Sequence, residues 1–341
     1  MTVLTGTSQT FGVSSGGGIR EDLEDVIWDL FPEDTWAVSN FDKLDATSTA
    51  HEWLHQELLA AGSNIQVEGD DATFTSLTPP SRIGNYTQIL SKTFLVSDTL
   101  EAVRKAGRGS EVARGAMVKM RELKRDLEYA VTRNGAANAG SQITSGRIMA
   151  GIETWIGGYA VNAFVGTTPA ASTAVVPTLG TNCTTPATTS GFPTVAPTDA
   201  SAGTTVALTA TYLNYALQGA WSNGGDPSVV LTTASQKALI DSFTSVATRF
   251  VDVDAATQAP IIGAANVYVS DYGRHTIILH RYMRTGTVLC LDPNYWALAF
   301  LRRPMARELA RTGDGTKYQI ITEVTLVARN WQSSAKVVGL S

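Results

Sequence analysis

Cysteine is nearly absent from this chain: Cys183 and Cys290 are the two among 341 residues. Two thiols cannot build a disulfide framework, and neither stands in a C-x-x-C pair, so a small stapled scaffold is excluded and a reducing compartment fits. Charge is scarce as well, at 17% of residues against 43% hydrophobic. A thinly charged surface is easily buried against further subunits, which points toward assembly. The formal net charge of -5 argues against a protein that coats nucleic acid through a general basic surface. No apolar run approaches the ~20 residues of a membrane span. The opening "MTVLTGTSQTFGVSSGGGIRED" lacks a basic and then apolar leader, so no signal peptide is expected.

What is present reads as α+β. Residues 1–20 are Gly, Ser and Thr rich and predict a flexible arm. Residues 21–41 are acidic, with Leu23, Val26, Ile27 and Leu30 at helical spacing until Pro32 stops the run. A long Gly/Asp/Pro loop over 60–82 precedes "IGNYTQILSKTFLV" (83–96), which is strand-like. Its nearest upstream partner is 48–58, and the pair predicts a long hairpin. Residues 98–133 predict the clearest helix, capped by Asp98 with Glu101 three residues on, and bent or interrupted at Gly107 and Gly109. Its apolar stripe runs Val112, Ala116, Met120, Leu123, Leu127, Val131. Nine basic residues against six acids give that helix a modest positive surplus. Residues 166–205 are a Thr/Ala/Pro stretch with little to bury. Helices over 206–224 and 234–248 flank a short strand in "DPSVVLTT", and several strand-like runs fill 266–301 and 317–329.

One short motif carries a chemical suggestion. H51-E-W-L-H55 reads H-E-x-x-H, the zinc-peptidase signature. On a helix, positions i and i+4 lie ~6 Å apart, so two imidazoles can share a zinc at bonds near ~2.1 Å. On a strand the same residues sit ~13 Å apart and cannot. The hairpin reading places them on a strand. The longer pattern wants a glycine and a third histidine where this chain has Leu58 and Ala61, and the other histidines, His275 and His280, are distant in sequence. No phosphate loop, dinucleotide fingerprint or G-x-S-x-G elbow is present. Two charged clusters remain. Glu68, Asp70 and Asp71 form an acidic loop, and Arg302, Arg303, Arg307 and Arg311 form a basic run that suits phosphates or neighbouring acids.

The order of several of these stretches resembles one family. "QVEGDDATF" (66–74), "RIGNYTQI" (82–89), "KAGRGSE" (105–111), "ELKRDLE" (122–128), "VYVSDYGRHTIILHRYMR" (267–284), "LDPNYWALAFLR" (291–302) and "TGDGTKYQIITEVTLVARN" (312–330) are similar to the tailed-bacteriophage major capsid proteins exemplified by the SU-ten group. The resemblance covers about 20–160 and 210–332, and departs at 166–205 and at the second histidine of the zinc-like motif.

The resemblance implies the Hong Kong 97 capsid fold. Residues 1–45 would be the N-terminal arm and 46–97 the extended hairpin loop. Residues 98–160 would be the peripheral domain, with its spine helix over 98–133. A linker would span 161–205, the axial domain 206–265, and returning strands 266–341. It further implies a non-enzymatic coat protein without cofactors, in a virion capsid built in the host cytoplasm as pentamers and hexamers around double-stranded DNA. Scaffolding, portal and decoration proteins are the implied partners, and no membrane. Candidate inter-subunit contacts are Glu68, Asp70, Asp71, Arg302, Arg303 and Arg307. Candidate DNA-facing residues are Arg114, Lys119, Arg121, Lys124 and Arg125. The alternatives are an encapsulin-like cellular shell and, at a distance, a zinc peptidase using His51, Glu52 and His55.

Overall fold

The computed structural model describes residues 35–56, 58, 61–71, 74, 76, 77, 79–105, 107–141, 144–156, 160–162, 188, 189, 191–194, 207–243 and 267–341. Residues 1–34 of the arm expected over 1–45, most of the Thr/Ala/Pro stretch, Cys183 and residues 244–266, with the end of the helix expected over 234–248, lie outside them.

Chain order begins with α1 (Trp36–Asn40), β1 (Asp42–Asp45) and β2 (Ala50–His55), followed after a long excursion by β3 (Ser81–Tyr86) and β4 (Gln88–Val96). Then come α2 (Asp98–Ala102), α3 (Glu111–Thr132), α4 (Ile152–Trp155), β5 (Ala160–Asn162), β6 (Thr188–Thr189) and β7 (Phe192–Pro193). The second half holds α5 (Ala210–Ser222), β8 (Val229–Thr232), α6 (Ala234–Asp241), β9 (Val267–Ser270), β10 (Gly273–Leu279) and β11 (Thr287–Leu291). It closes with β12 (Trp296–Leu309), β13 (Thr316–Ala328) and β14 (Ala335–Val338). The two larger sheets are ordered β1-β12-β13-β4 and β5-β14-β11-β8-β10-β9, and β2-β3 and β6-β7 form two-stranded pairs.

The long predicted helix is two. Ser97, and not Asp98, caps α2 by accepting from the Leu100 N–H, and Ser110 caps α3 by accepting from the Ala113 N–H. Asp98 is used elsewhere, accepting from the Thr316 hydroxyl at 3.2 Å. Gly107 turns the intervening elbow at φ +71°. Glu101 holds the elbow closed by accepting from the Glu111 N–H at 2.9 Å and from Lys105 at 3.1 Å. Ser110, the Glu111 amide and Lys105 together hold its carboxyl down to about 2. α3 then crosses the sheet. Gly115 permits the approach, because a Cβ there would stand 2.9 Å from the Phe94 ring, which itself stacks on Tyr318.

The predicted hairpin is also divided. β2 pairs antiparallel with β3 alone, from Ala50↔Tyr86 to His55↔Ser81, whereas β4 leaves to pair with β13 from Gln88↔Val324 to Val96↔Thr316. The break is at Thr87, buried, whose N–H reaches the Thr49 carbonyl and whose hydroxyl donates to Glu323 at 2.8 Å. The arm expected over 83–96 therefore serves two sheets.

Two cores share the six-stranded sheet. Leu231, Leu289 and Leu291 face one, with Leu127, Val131, Trp155, Trp296 and Trp331; Val230, Val288 and Cys290 face the other, with Leu213, Leu217 and Val337. A strand covered on both faces needs apolar residues at every position, which explains the unbroken run of β11, "TVLCL". Burial pushes the Cys290 thiol up to about 12, as an inert core residue.

At the centre sits a buried carboxylate. Glu128 on α3 accepts from the Ala37 and Val38 N–H groups, each at 2.8 Å, and its Oε1 lies 2.7 Å from His280 Nε2. Glu128 and His280 are both sealed from solvent, at 0% and 3% exposure. Removing the carboxylate strands three partners in a dry site. Glu128→Ala is expected to lower unfolding free energy by about 3–5 kcal/mol in a denaturant titration. In the same variant, hydrogen exchange at residues 36–41 should accelerate more than in β13.

Candidate assembly surfaces

The zinc-like motif is the root of the hairpin. His51, Trp53 and His55 alternate along β2 and so project to one face. Trp53 lies against Trp155 with ring centroids 5.5 Å apart, Trp155 is 6.1 Å from Trp331, and His55 covers Trp331 at 4.6 Å. His51 sits 6.0 Å from the Trp53 ring, and burial lowers its pKa. Glu52 points the other way and pairs with Arg82 at 3.1 Å. The two histidines thus stand at strand spacing, ~13 Å apart. Among the described residues no group of three His, Cys, Asp or Glu side chains is placed to hold a metal. The motif fastens the hairpin to a tryptophan cluster.

Beyond that root the excursion presents large apolar residues to water. Leu58, Ile65, Phe74 and Leu77 are 88–95% exposed. At its tip Glu68, Asp70 and Asp71 are all exposed about a turn at Gly69, φ +86°. None of the three acids makes an ion pair among the described residues. The Asp70 N–H returns to the Val67 carbonyl at 3.1 Å, and Asp70 Oδ1 accepts from the Asp71 N–H at 3.0 Å.

The arginine run lies on the far end of β12. β1 covers β12 only from Ala297 to Phe300, so among the described residues the stretch 302–309 pairs with β13 on one side and has no strand on the other. Register shifts flank Arg302, and Pro304 interrupts the edge, both of which guard against indiscriminate strand addition. A groove of about 340 Å³ runs along this stretch. The four arginines have different duties. Arg302 pairs with buried Glu323 at 2.9 Å, Arg303 with Asp45 at 2.8 Å, and Arg311 with Asp98 at 3.2 Å. Arg307 is exposed and makes no ion pair among the described residues.

Glu323 is the polar hub of this sheet. Burial raises its pKa, but the Thr87 hydroxyl, Arg147 at 2.5 Å and Arg302 outweigh that and hold it below the ordinary 4.5. The five helix bases also separate. At 100° per residue Arg114, Arg121 and Arg125 share the stripe opposite the buried Leu123 and Leu127, Lys124 stands at its flank, and Lys119 lies toward the sheet, bonded to Glu122 at 2.9 Å. Lys124 donates to the Ser39 hydroxyl at 3.1 Å. Motif reading did not find the buried groups Glu128, His280, Glu153 and Glu323. Glu153 and Glu323 carry one sequence signal, a lone ionisable residue inside an apolar run, as in "IITEVTLVA"; Glu128, among the charges of "KRDLEY", carries none.

Two large sheets, a long helix across one of them, an exposed hairpin and a strand β12 left uncovered over its second half describe a shell subunit. Its fold is that of Hong Kong 97-type phage capsid proteins. The capsid subunit of Cyanophage A-1(L) superposes with a TM-score of 0.62 at 12% identity, over 97% of this chain and 99% of that one. A chain of Gordonia phage Cozz gives 0.59 at 12% identity, over 99% and 97%. The family model described as SU10 major capsid protein matches residues 3–341, and the chain belongs to that family. The "Major capsid protein" of Escherichia phage Phieco32 is 38% identical over 100 residues, a match spanning 29% of this chain and 28% of that protein. Neither the cellular shell nor the peptidase finds support in these similarities.

Because Arg302 serves Glu323, Arg302→Ala should lower fold stability by about 1–2 kcal/mol, whereas Arg307→Ala should leave it unchanged in the same denaturant titration. The Glu323 contribution is present above the ordinary carboxylate pKa of 4.5 and is lost as pH falls through its lowered value. The gap between wild type and Arg302→Ala should therefore narrow in acid.

Proposed function

We propose that copies of this chain close as pentamers and hexamers into an icosahedral shell around double-stranded phage DNA. The observation that carries this is the hairpin excursion, with four large apolar side chains 88–95% exposed and no core of its own. Isolated two-stranded ribbons are marginal in water and gain order by packing on a neighbour. In this reading residues 1–45 are the arm, 46–97 the extended loop, 98–160 the peripheral domain, 161–205 a linker, 206–265 the axial domain and 266–341 the returning strands.

The acidic tip, Glu68, Asp70 and Asp71, meets the arginine edge of an adjacent copy, where Arg307 offers an uncommitted charge and Arg303 an exposed one. Arg302 contributes by shaping that edge rather than by pairing across it, since Glu323 occupies it. Each exposed pair is worth only about 0.2–1 kcal/mol, but every subunit repeats it. Arg114, Arg121 and Arg125 on the outer stripe of α3 give packaged DNA non-specific phosphate contacts, with Lys124 beside them and Lys119 least available. Scaffolding, portal and decoration proteins complete the partners, and assembly takes place in the host cytoplasm before the chain becomes part of the virion.

Electron microscopy of the purified chain after size exclusion tests the reading: shells, tubes or capsomer rings are expected, and a persistent monomer at all concentrations and salts counts against it. A variant with Glu68, Asp70 and Asp71 all changed to Ala should need severalfold more protein to assemble and should lose part of its salt sensitivity. Normal assembly with unchanged salt response would remove the acidic tip from the contact.

A further inference from the structure

A second groove, of about 350 Å³, lies between α3, the start of the described chain and β12. Its floor is apolar, with Leu123, Leu127 and Phe300 among the walls, and its rim is basic, with Lys43, Lys124 and Arg303. Arg303 is already neutralised by Asp45 at 2.8 Å. Lys124 reaches only the uncharged Ser39 hydroxyl, and Lys43 makes no ion pair among the described residues. The groove therefore offers apolar walls and at least two unneutralised cations, a combination that suits an acidic amphipathic segment and gives a bare phosphate little on its floor.

Such a segment exists in this chain, just upstream. Residues 21–31 read "EDLEDVIWDLF", with Leu23, Val26, Ile27 and Leu30 at one helical spacing and Glu21, Asp22, Glu24, Asp25 and Asp29 between them. The described chain begins at Thr35, and Val38, three residues on, is itself a wall of the groove. Glu128 fixes Val38 there through the backbone N–H. Residues 32–34 join the segment to Thr35, and the four Cα steps from residue 31 to 35 reach at most about 14 Å, so the segment is tethered close to this site at a raised effective concentration. We propose that residues 21–31 of the same chain dock in this groove, apolar side on Leu123, Leu127 and Phe300, acids toward Lys43 and Lys124. The inference does not depend on shell closure, since every partner is in one chain. It would withdraw Lys124 from contact with DNA and leave Arg114, Arg121 and Arg125 to that role.

Hydrogen exchange with mass spectrometry on the full chain tests it, using the dilute unassembled fraction from size exclusion. Amides of 21–31 should exchange about tenfold more slowly than those of the glycine-rich 1–18. Lys43→Glu combined with Lys124→Glu should remove that protection, and adding Glu24→Lys and Asp25→Lys to the same chain should restore it. Both lysines are exposed, so the fold should survive, and unchanged exchange in β13 confirms that it has. Protection that ignores the charge reversal overturns the proposal. So does protection that rises with protein concentration or appears only in assembled particles, because the groove would then be filled by a second copy or another partner.

Discussion

The arrangement turns on the carboxylate of Glu128. It lies on the buried face of α3, one turn beyond Lys124, in a position a leucine would suit on hydrophobic grounds alone. Instead it joins three parts of the chain distant in sequence: the two backbone N–H groups that open α1, the long helix itself, and His280 just past the end of β10 in the six-stranded sheet. A buried carboxyl is tolerated only when it is hydrogen-bonded, and here both oxygens are bonded by geometry that only the native fold supplies. The same requirement makes the site selective. A slipped helix or a displaced arm would leave the carboxylate dry and unpaired, so register is enforced by penalty as much as by attraction.

Glu323 repeats this device at another junction, and Glu153 a partial form of it, since its Oε1 finds no hydrogen-bond partner among the described residues. Glu323 gathers Thr87, Arg147 and Arg302 at the point where the hairpin strand leaves for the other sheet. Glu153 on α4 pairs with Arg284 at 2.8 Å, its backbone carbonyl accepts from buried Lys336 at 2.6 Å, and its pKa is raised by burial against both of those cations. The three acids mark the seams where helix, hairpin and two sheets meet. Apolar packing fills the cores between the seams and is indifferent to small rotations, whereas a filled carboxylate is not. Polar seams of this kind hold the four-stranded and six-stranded sheets at a fixed mutual angle.

How much of this was legible beforehand follows the same division. The alternating run of β13, the apolar run of β11 and the period of α3 are local patterns, and they appear where periodicity puts them. The interruption of the long helix was written in Gly107 and Gly109. Its true caps, Ser97 and Ser110, lost to Asp98 in the reading because Asp98 followed by Glu101 imitates a capping box. The split of the hairpin at Thr87 was not legible, since β3 and β4 are equally strand-like and only tertiary pairing separates them. Nor was the fate of Arg302, whose neighbours in sequence suggest a surface patch while its partner stands 21 residues away across a strand pair. The zinc-like motif shows the converse. Five residues matched a chemical pattern, and the secondary structure that decides whether the pattern means anything was set by Ser81–Tyr86, far outside it.

The tryptophan cluster beneath that motif explains why a peptidase-like spelling arises in a coat protein. A two-stranded ribbon needs a firm attachment at one end if the other is to reach outward. Aromatic side chains bury much area with few rotatable bonds, so alternating His51, Trp53 and His55 against Trp155 and Trp331 fastens the root efficiently. Imidazole suits the outer positions because it stacks while keeping a polar edge for water. The glutamate between them faces the other side and serves Arg82 of the opposing strand. Every residue of the signature thus has a physical reason to be there, and each reason requires the extended geometry that keeps the two histidines too far apart for one metal ion. The root thus gives the exposed excursion one fixed point of attachment to the body of the subunit.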